Sequence, residues 1–234
     1  MMKIKIKELL TNLIAIFYPA TCIACGRVLL QSEKHICLRC MAHLPETNYH
    51  LDKENPLRLL FLGRVPVENA ASFLFFRKGE QVQHILHELK YNGNQGIGDF
   101  LGECYGRKLA AAPAFETVDM ILPIPLHKKK LKLRGYNQSE CIAKGLSRSM
   151  GIPYRTDILL RTEYTDTQTK KSRFSRWENV KEVFAVENED DIKGKHVLVC
   201  DDVLTTGATT EAAIEKLLQA ADVKVSVVTL ACAN

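Results

Sequence analysis

No apolar run in the 234 residues approaches the ~20 that a membrane-spanning helix needs. The nearest candidate is the amino terminus, MMKIKIKELLTNLIAIFYPATC, where lysines precede an apolar stretch that Thr11 and Asn12 interrupt and Pro19 closes. Integral membrane insertion is therefore not expected. The spacing of Leu9, Leu10, Leu13, Ile14 and Phe17 predicts instead an amphipathic helix within residues 1–21, docked on the body of the protein. A strong charge of one sign is also lacking. With 32 Lys and Arg against 27 Asp and Glu, the formal net charge is +5, which permits an anionic partner without demanding one. Apolar matter is not scarce: 46% hydrophobic and 25% charged residues are ordinary for a globular chain that can hold one α/β domain and a small module besides.

What is present is concentrated in His196–Thr210, HVLVCDDVLTTGATT. His196–Cys200 is a short valine-rich run with the composition of a buried parallel strand. Asp201 and Asp202 follow where such a strand emerges at its carboxyl end, the edge at which open α/β sheets bind ligands. Thr205, Thr206, Gly207, Ala208, Thr209 and Thr210 then form a turn, and the Ala212–Leu218 pattern predicts a helix. A helix amino terminus offers unpaired N–H groups and about half a positive charge, so a phosphate can sit on it. Gly207 lets the backbone approach and the threonines add hydroxyl donors. Two adjacent carboxylates repel a phosphate but accept well from a polyol, so a sugar phosphate fits both halves. This reading requires both carboxylates to face a hollow beside the glycine turn. The turn has no lysine and no GKT or GKS, which makes a nucleotide-triphosphatase P-loop a poor match. At these residues the stretch resembles the phosphoribosyl-pyrophosphate signature of type I phosphoribosyltransferases.

Cys22-Ile-Ala-Cys25 and Cys37-Leu-Arg-Cys40 are two CxxC pairs separated by eleven residues, and Gly26 follows the first. Four thiolates suit one tetrahedral structural Zn²⁺, with no open coordination position. Two disulfides need an oxidising compartment, and a redox CxxC does not need the second pair. His35 and His43 lie nearby as substitute ligands, though surface side chains are the expectation. Cys104, Cys141, Cys200 and Cys232 show no such pairing and read as small buried hydrophobes.

Between these features, residues 45–70 carry Pro45, Pro56 and Pro66 with little periodicity and read as a linker. Residues 71–76 predict a strand, 80–91 a helix with Val82, Leu86 and Leu89 inward, 99–112 a second helix, and 118–125 a buried strand. Lys90 ends the first helix beside Asn92-Gly93. Lys128, Lys129, Lys130, Lys132 and Arg134 then form a basic loop before Gly135-Tyr136-Asn137-Gln138, and another helix starts near Asn137 or Ser139 with Ile142, Ala143 and Leu146 inward.

The segment PIPLHKKKLKLRGYNQSE is similar to the PxPxxxxRxRxRGxNQ segment of the ComF family of bacterial competence proteins. Arg161, Thr165, Gln168, Arg176 and Asn179 match that family's LxRxxxTxxQxxLxxxxRxxN segment, with Ser172 or its neighbour replacing the usual leucine. Together with the CxxC pairs and the carboxyl-terminal signature, the resemblance covers nearly the whole chain. It implies a mainly parallel α/β sheet of the type I phosphoribosyltransferase type with a small amino-terminal zinc-ribbon-like module. The division is a helix over 1–21, the four-cysteine module over 22–44, a linker over 45–70 and the phosphoribosyltransferase-like domain over 71–234. The ligand implied is 5-phosphoribosyl 1-pyrophosphate with Mg²⁺ carried largely by its pyrophosphate. Asp201 and Asp202 take the ribose hydroxyls and Thr205–Thr210 the 5'-phosphate. Lys90, Arg134, Arg161, Gln168 and Arg176 are candidates for the pyrophosphate and for a hood over Arg161–Asn179 that excludes water. Transfer to an unidentified acceptor, and a role in DNA uptake, are further implications. Alternatives are a single-stranded DNA binder, with Tyr136, Tyr164, Phe174 and Trp177 among the cations, or an adaptor for a competence helicase. The location expected is cytoplasmic. A glutamine amidotransferase is not expected, because the chain starts Met1-Met2-Lys3 without a cysteine nucleophile.

Overall fold

The computed structural model describes residues 19–162 and 183–233. The predicted amino-terminal helix with Leu9, Leu10, Leu13, Ile14 and Phe17 lies outside the described residues. So do Tyr164, Thr165, Gln168, Ser172, Phe174, Arg176, Trp177 and Asn179 of the predicted hood.

The described helices are α1 (Leu38–Ala42), α2 (Pro56–Phe61), α3 (Gln81–Tyr91), α4 (Gln95–Ala110), α5 (Lys128–Arg134), α6 (Gln138–Met150) and α7 (Ala208–Ala220). The strands are β1 (Ala70–Phe76), β2 (Met120–Pro123), β3 (Leu159–Arg161), β4 (Phe184–Val186), β5 (His196–Leu204) and β6 (Lys224–Ala233). β1, β6, β5 and β2 lie in that order in one sheet, and every pairing in it is parallel. The register sets Ala71 beside Val228, Cys200 beside Val228, and Val199 beside Leu122. Parallel neighbours need long crossovers, and α3 with α4, α6, and α7 supply them. Those helices cover both faces, which is why β5 and β6 read as near-continuous apolar runs instead of alternating ones. One layer joins Val82, Leu89, Leu101, Tyr105, Ile142 and Leu146 to Leu198 and Leu230. The other joins Phe61, Ile158, Phe184, Ile214 and Leu217 to Val197, Val199 and Val227. β3 and β4 form a small antiparallel pair, with Leu160 opposite Ala185.

Three local expectations are corrected. The predicted loop at 128–134 is helix α5. Lysine and leucine favour helix, the His127 ring accepts from the Lys129 N–H at 3.1 Å, and Gly135 ends the helix in the left-handed region at φ +79°. α4 begins at Gln95, four residues before the predicted start. β5 continues through Asp201 and Asp202 to Leu204, because the ladder with β6 persists to Leu204↔Cys232. The acids therefore stand within the last pleats of the strand and not after its end.

The 45–70 stretch carries a 3₁₀ turn (Tyr49–Leu51) and α2. Asn55 caps α2, accepting from Leu57 N–H at 3.0 Å, while its Nδ2 donates to the Ala70 carbonyl at 2.8 Å. Pro56 sits where its missing N–H costs nothing. The four-cysteine module also joins the first apolar layer, through Cys22, Ile36, Cys37 and Cys40.

What fixes the covering helices is an unusually close crossing of α4 and α6. A Cβ on Gly102 would collide with the Ile142 carbonyl, and one on Gly145 with the Asp99 carbonyl. Arg148 clamps the crossing, donating to Asp99 at 2.9 Å and to Glu103 at 3.1 Å. Helix propensity alone makes Gly145→Ala stabilising by about 1 kcal/mol. Because the added methyl meets main chain, the expected outcome is the opposite sign, a loss of about 1–3 kcal/mol, read as a lower midpoint in urea unfolding.

Candidate functional site

The site is built at the carboxyl end of β5. Asp201 and Asp202 are successive residues of a strand that is hydrogen-bonded to β6 through this height and to β2 just below it, so their main chain is fixed. Ser139, in the first turn of α6, donates its hydroxyl to Asp201 Oδ1 at 2.8 Å, and the Asp202 N–H donates to the same oxygen at 2.8 Å. Burial, and then the neighbouring Asp202 carboxylate, push the Asp201 carboxyl up to about 7, against the donors from Ser139 and Asp202 and the charge of Lys90. Asp202 meets a cation. Lys90, at the end of α3, lies 3.0 Å from its Oδ2.

Two of the predicted cations are thus at the acidic pair. Lys90 touches Asp202 directly. Arg161, on β3, lies close enough for the Asp201 charge to oppose the lowering of its pKa that burial imposes, and its guanidinium sits 5.4 Å from the centre of the Phe184 ring. Its Nε is buried without a hydrogen-bond partner among the described residues. Arg134 is turned elsewhere: it donates to Gln138 Oε1 at 2.7 Å and stacks 5.3 Å from the centre of the Tyr91 ring, the residue after Lys90. Gln168 and Arg176 lie outside the described residues.

Past Leu204 the chain turns at once into α7. Thr205, Thr206, Ala208 and Thr209 are exposed, while Gly207 and Thr210 are buried. Gly207 takes φ +78° at the amino cap of α7, where L side chains are strained, and no side chain caps the first N–H groups of the helix. The Glu211 N–H bonds the Gly207 carbonyl at 2.8 Å, which closes the first turn. An open helix start of thirteen residues, next to exposed threonine hydroxyls, offers main-chain donors to an anion.

Both acids already hold partners within the fold. Asp202 is ion-paired. Two hollows among the described residues, of about 530 Å³ and 340 Å³, are lined by Val65, Leu218 and Val225 and by Gln95, Asn137 and Lys144, respectively, among others. The Lys90 and Asp202 side chains are 24% and 15% exposed. The pair is largely withdrawn from water, so a ligand that replaces Lys90 at Asp202 has to give the lysine another negative partner.

Two participants have no sequence signal. Ser139 sits in a helical pattern that marks only its apolar neighbours. Arg64 comes from the stretch read as linker, and its guanidinium reaches the Thr206 carbonyl at 3.2 Å and pairs with Glu211.

A second constellation lies in the amino-terminal module. The sulfurs of Cys22, Cys25, Cys37 and Cys40 all lie within 4.8 Å of one another. Cys25 and Cys37 are 3.8 Å apart, the edge length of about 3.8 Å that a tetrahedron with Zn–S bonds of about 2.3 Å has. The Cys37 N–H donates to Cys22 Sγ at 3.3 Å, and Glu33 holds the loop by accepting from Leu30 and Leu38 N–H at 2.8 Å. The donor set fits a closed structural zinc. His43 bonds the Arg39 carbonyl and His35 packs on Phe100, so neither joins the four sulfurs. The remaining cysteines form no disulfide: Cys200 and Cys232 are buried, Cys104 and Cys141 half-buried.

Comparison with known proteins agrees with this layout. Residues 137–234 match the phosphoribosyl transferase domain, which includes β5, the threonine turn and α7 but not Lys90, Arg64 or the cysteine module. The DNA utilization protein YhgH of Escherichia coli O157:H7 is 27% identical over 215 residues, 88% of this chain and 87% of that protein. Competence protein F of Haemophilus influenzae is 35% identical over 102 residues, 43% of this chain and 44% of that protein. Competence protein ComFC of Bacillus subtilis is 31% identical over 100 residues, 43% and 38% of the two chains. No helix among the described residues is long and apolar enough to cross a membrane. An acidic pair on a parallel strand, a threonine turn feeding an open helix and four clustered cysteines thus stand in a chain that is similar to the YhgH, competence protein F and ComFC proteins and whose residues 137–234 match the phosphoribosyl transferase domain.

Proposed function

We propose that the chain binds 5-phosphoribosyl 1-pyrophosphate, with Mg²⁺ carried by the pyrophosphate, at the carboxyl end of β5. The observation that carries the reading is the continuity of Asp201-Asp202 with the uncapped start of α7, acceptors and donors joined by one short turn. Asp201 and Asp202 accept from the ribose hydroxyls. The N–H and hydroxyl groups of Thr205, Thr206, Gly207, Ala208, Thr209 and Thr210 take the 5'-phosphate. Lys90 is displaced from Asp202 and, with Arg161, faces the pyrophosphate; Arg134, Gln168 and Arg176 remain candidates of the same kind. Mg²⁺ neutralises the pyrophosphate oxygens when bound. In a transfer, the C1'–O bond breaks with its electron pair leaving on pyrophosphate, and an acceptor nucleophile forms the new bond to C1'. Cations held at the rim favour that leaving group. The names of the relatives support a place in DNA uptake or DNA use, and free cysteines support a reducing, cytoplasmic setting.

A second reading is favoured by α5, which buries none of its residues and points Lys129, Lys130, Lys132 and Leu133 to solvent. Such a surface suits single-stranded nucleic acid. The helicase-adaptor role would draw on exposed Val28, Leu30 and Leu38 of the cysteine module.

In calorimetry, wild-type protein is expected to bind phosphoribosyl pyrophosphate with Mg²⁺, and Asp201→Asn/Asp202→Asn to lose at least a hundredfold in affinity; equal binding by the double variant rejects the site. The carboxyl of Asp201, raised to about 7 by burial and by Asp202, sets a pH dependence. Its ionised form is the better acceptor, so affinity rises with pH through about 7 and levels above it. The same raised value means that the folded state keeps a proton the unfolded chain releases near 4. Stability without ligand therefore falls as pH rises from about 4 to 7, and Asp201→Asn raises Tm at pH 8 but not at pH 4. Elemental analysis is expected to give one zinc per chain, and Cys40→Ser to lose it with a fall in Tm on the order of 10 °C. Metal-free wild type ends the zinc assignment. For the second reading, Lys129→Ala/Lys130→Ala/Lys132→Ala is expected to abolish a salt-sensitive single-strand gel shift, and an unchanged shift removes α5 from that role.

A further inference from the structure

Arg64 lies in a turn after α2, about 140 residues from the phosphoribosyl signature and outside the matched domain. Its guanidinium is nevertheless spent on the signature. Nη1 donates to the Thr206 carbonyl at 3.2 Å and to the Leu60 carbonyl at 3.4 Å, and Nη2 pairs with Glu211 in the first turn of α7. The same segment closes on the turn from the apolar side: a Cβ on Gly207 would lie 3.2 Å from Leu60 Cδ2 and 3.5 Å from the Phe61 ring. Phe61 is itself fully buried.

The peptide unit translates these contacts into a direction. In a planar trans peptide the carbonyl and the next N–H point opposite ways. Holding the Thr206 carbonyl toward Arg64 therefore aims the Gly207 N–H away from Arg64, out of the turn. Glu211, an acid in the first turn of a helix whose open start is to receive an anion, would otherwise repel it. Pairing with Arg64 cancels that charge. Only an arginine fork has enough donors in one plane to serve Thr206, Leu60 and Glu211 together; a lysine is a single point charge.

We propose that Arg64 is a positioning residue for the 5'-phosphate cradle: bonded from outside the turn, it fixes the Thr206–Gly207 peptide so that main-chain donors point at the phosphate, and it neutralises Glu211. This rests on the phosphoribosyl reading of the same turn. It makes the phosphate end of the ligand, and not the pyrophosphate end, dependent on a residue that never touches it.

The test uses two probes on the full-length protein, ribose 5-phosphate and inorganic pyrophosphate with Mg²⁺, titrated calorimetrically into wild type, Arg64→Ala and Arg64→Lys. Ribose 5-phosphate affinity is expected to drop at least tenfold in both variants, while pyrophosphate affinity stays within twofold. Recovery of wild-type ribose 5-phosphate binding in Arg64→Lys overturns the positioning role, since charge alone then suffices. So does an equal loss of both probes, the signature of general destabilisation. If Arg64→Ala melts below the assay temperature, Arg64→Lys decides. Wild type that binds neither probe overturns the parent reading and this one with it; wild type that binds both, with variants that match it, overturns only the role of Arg64.

Discussion

Everything at the candidate site hangs on a strand with neighbours on both sides. β5 is paired to β6 along its whole length and to β2 along its buried half, so its main chain has no freedom to adapt to what lies above it. The acidic pair inherits that rigidity. Partners then arrive from separate helices: Ser139 from α6 to Asp201, Lys90 from α3 to Asp202. Neither partner is near the acids in sequence. For Ser139 that arrival depends on where α6 lies, and Gly102 and Gly145 set it by letting α4 and α6 approach until backbone meets backbone. A site of a few side chains thus depends on two positions that have no side chain.

The parallel sheet and its helices were legible because their signal is local. A valine-rich run followed by two acids, threonines and a glycine specifies strand, edge and turn within fifteen residues, and an apolar stripe in 80–91 specifies a face. Errors fell where local signal is weak or shared. HKKKLKLR reads as loop by charge, yet lysine and leucine are good helix formers, and His127 and Gly135 supply both ends. The stretch 45–70 has too many prolines to show a period, but Asn55-Pro56 is a helix start that its composition conceals. Carboxylates are rare in strands, so the sequence pattern ends β5 at Cys200; a ladder with β6 outweighs that preference and carries the strand to Leu204.

At the site itself, residue types were readable and pairings were not. The sequence marks Asp201, Asp202 and the threonines by kind, and the four cysteines by spacing, which places their sulfurs together. It does not mark Arg64, whose partners Thr206 and Glu211 lie far along the chain, nor Ser139, one hydroxyl in a helix. Nor does it say that Asp202 already has a cation. Contacts between distant segments are decided by packing, and no periodicity records them.

The lysine at the end of α3 gives the acidic pair a built-in counter-ion, and this bears on selectivity. A neutral polyol that took Asp202 would strand an ammonium group in a partly dehydrated corner and gain little by the exchange. A polyol that carries its own negative group gives the displaced lysine somewhere to go. In the proposed binding mode the acidic pair thereby disfavours uncharged sugars.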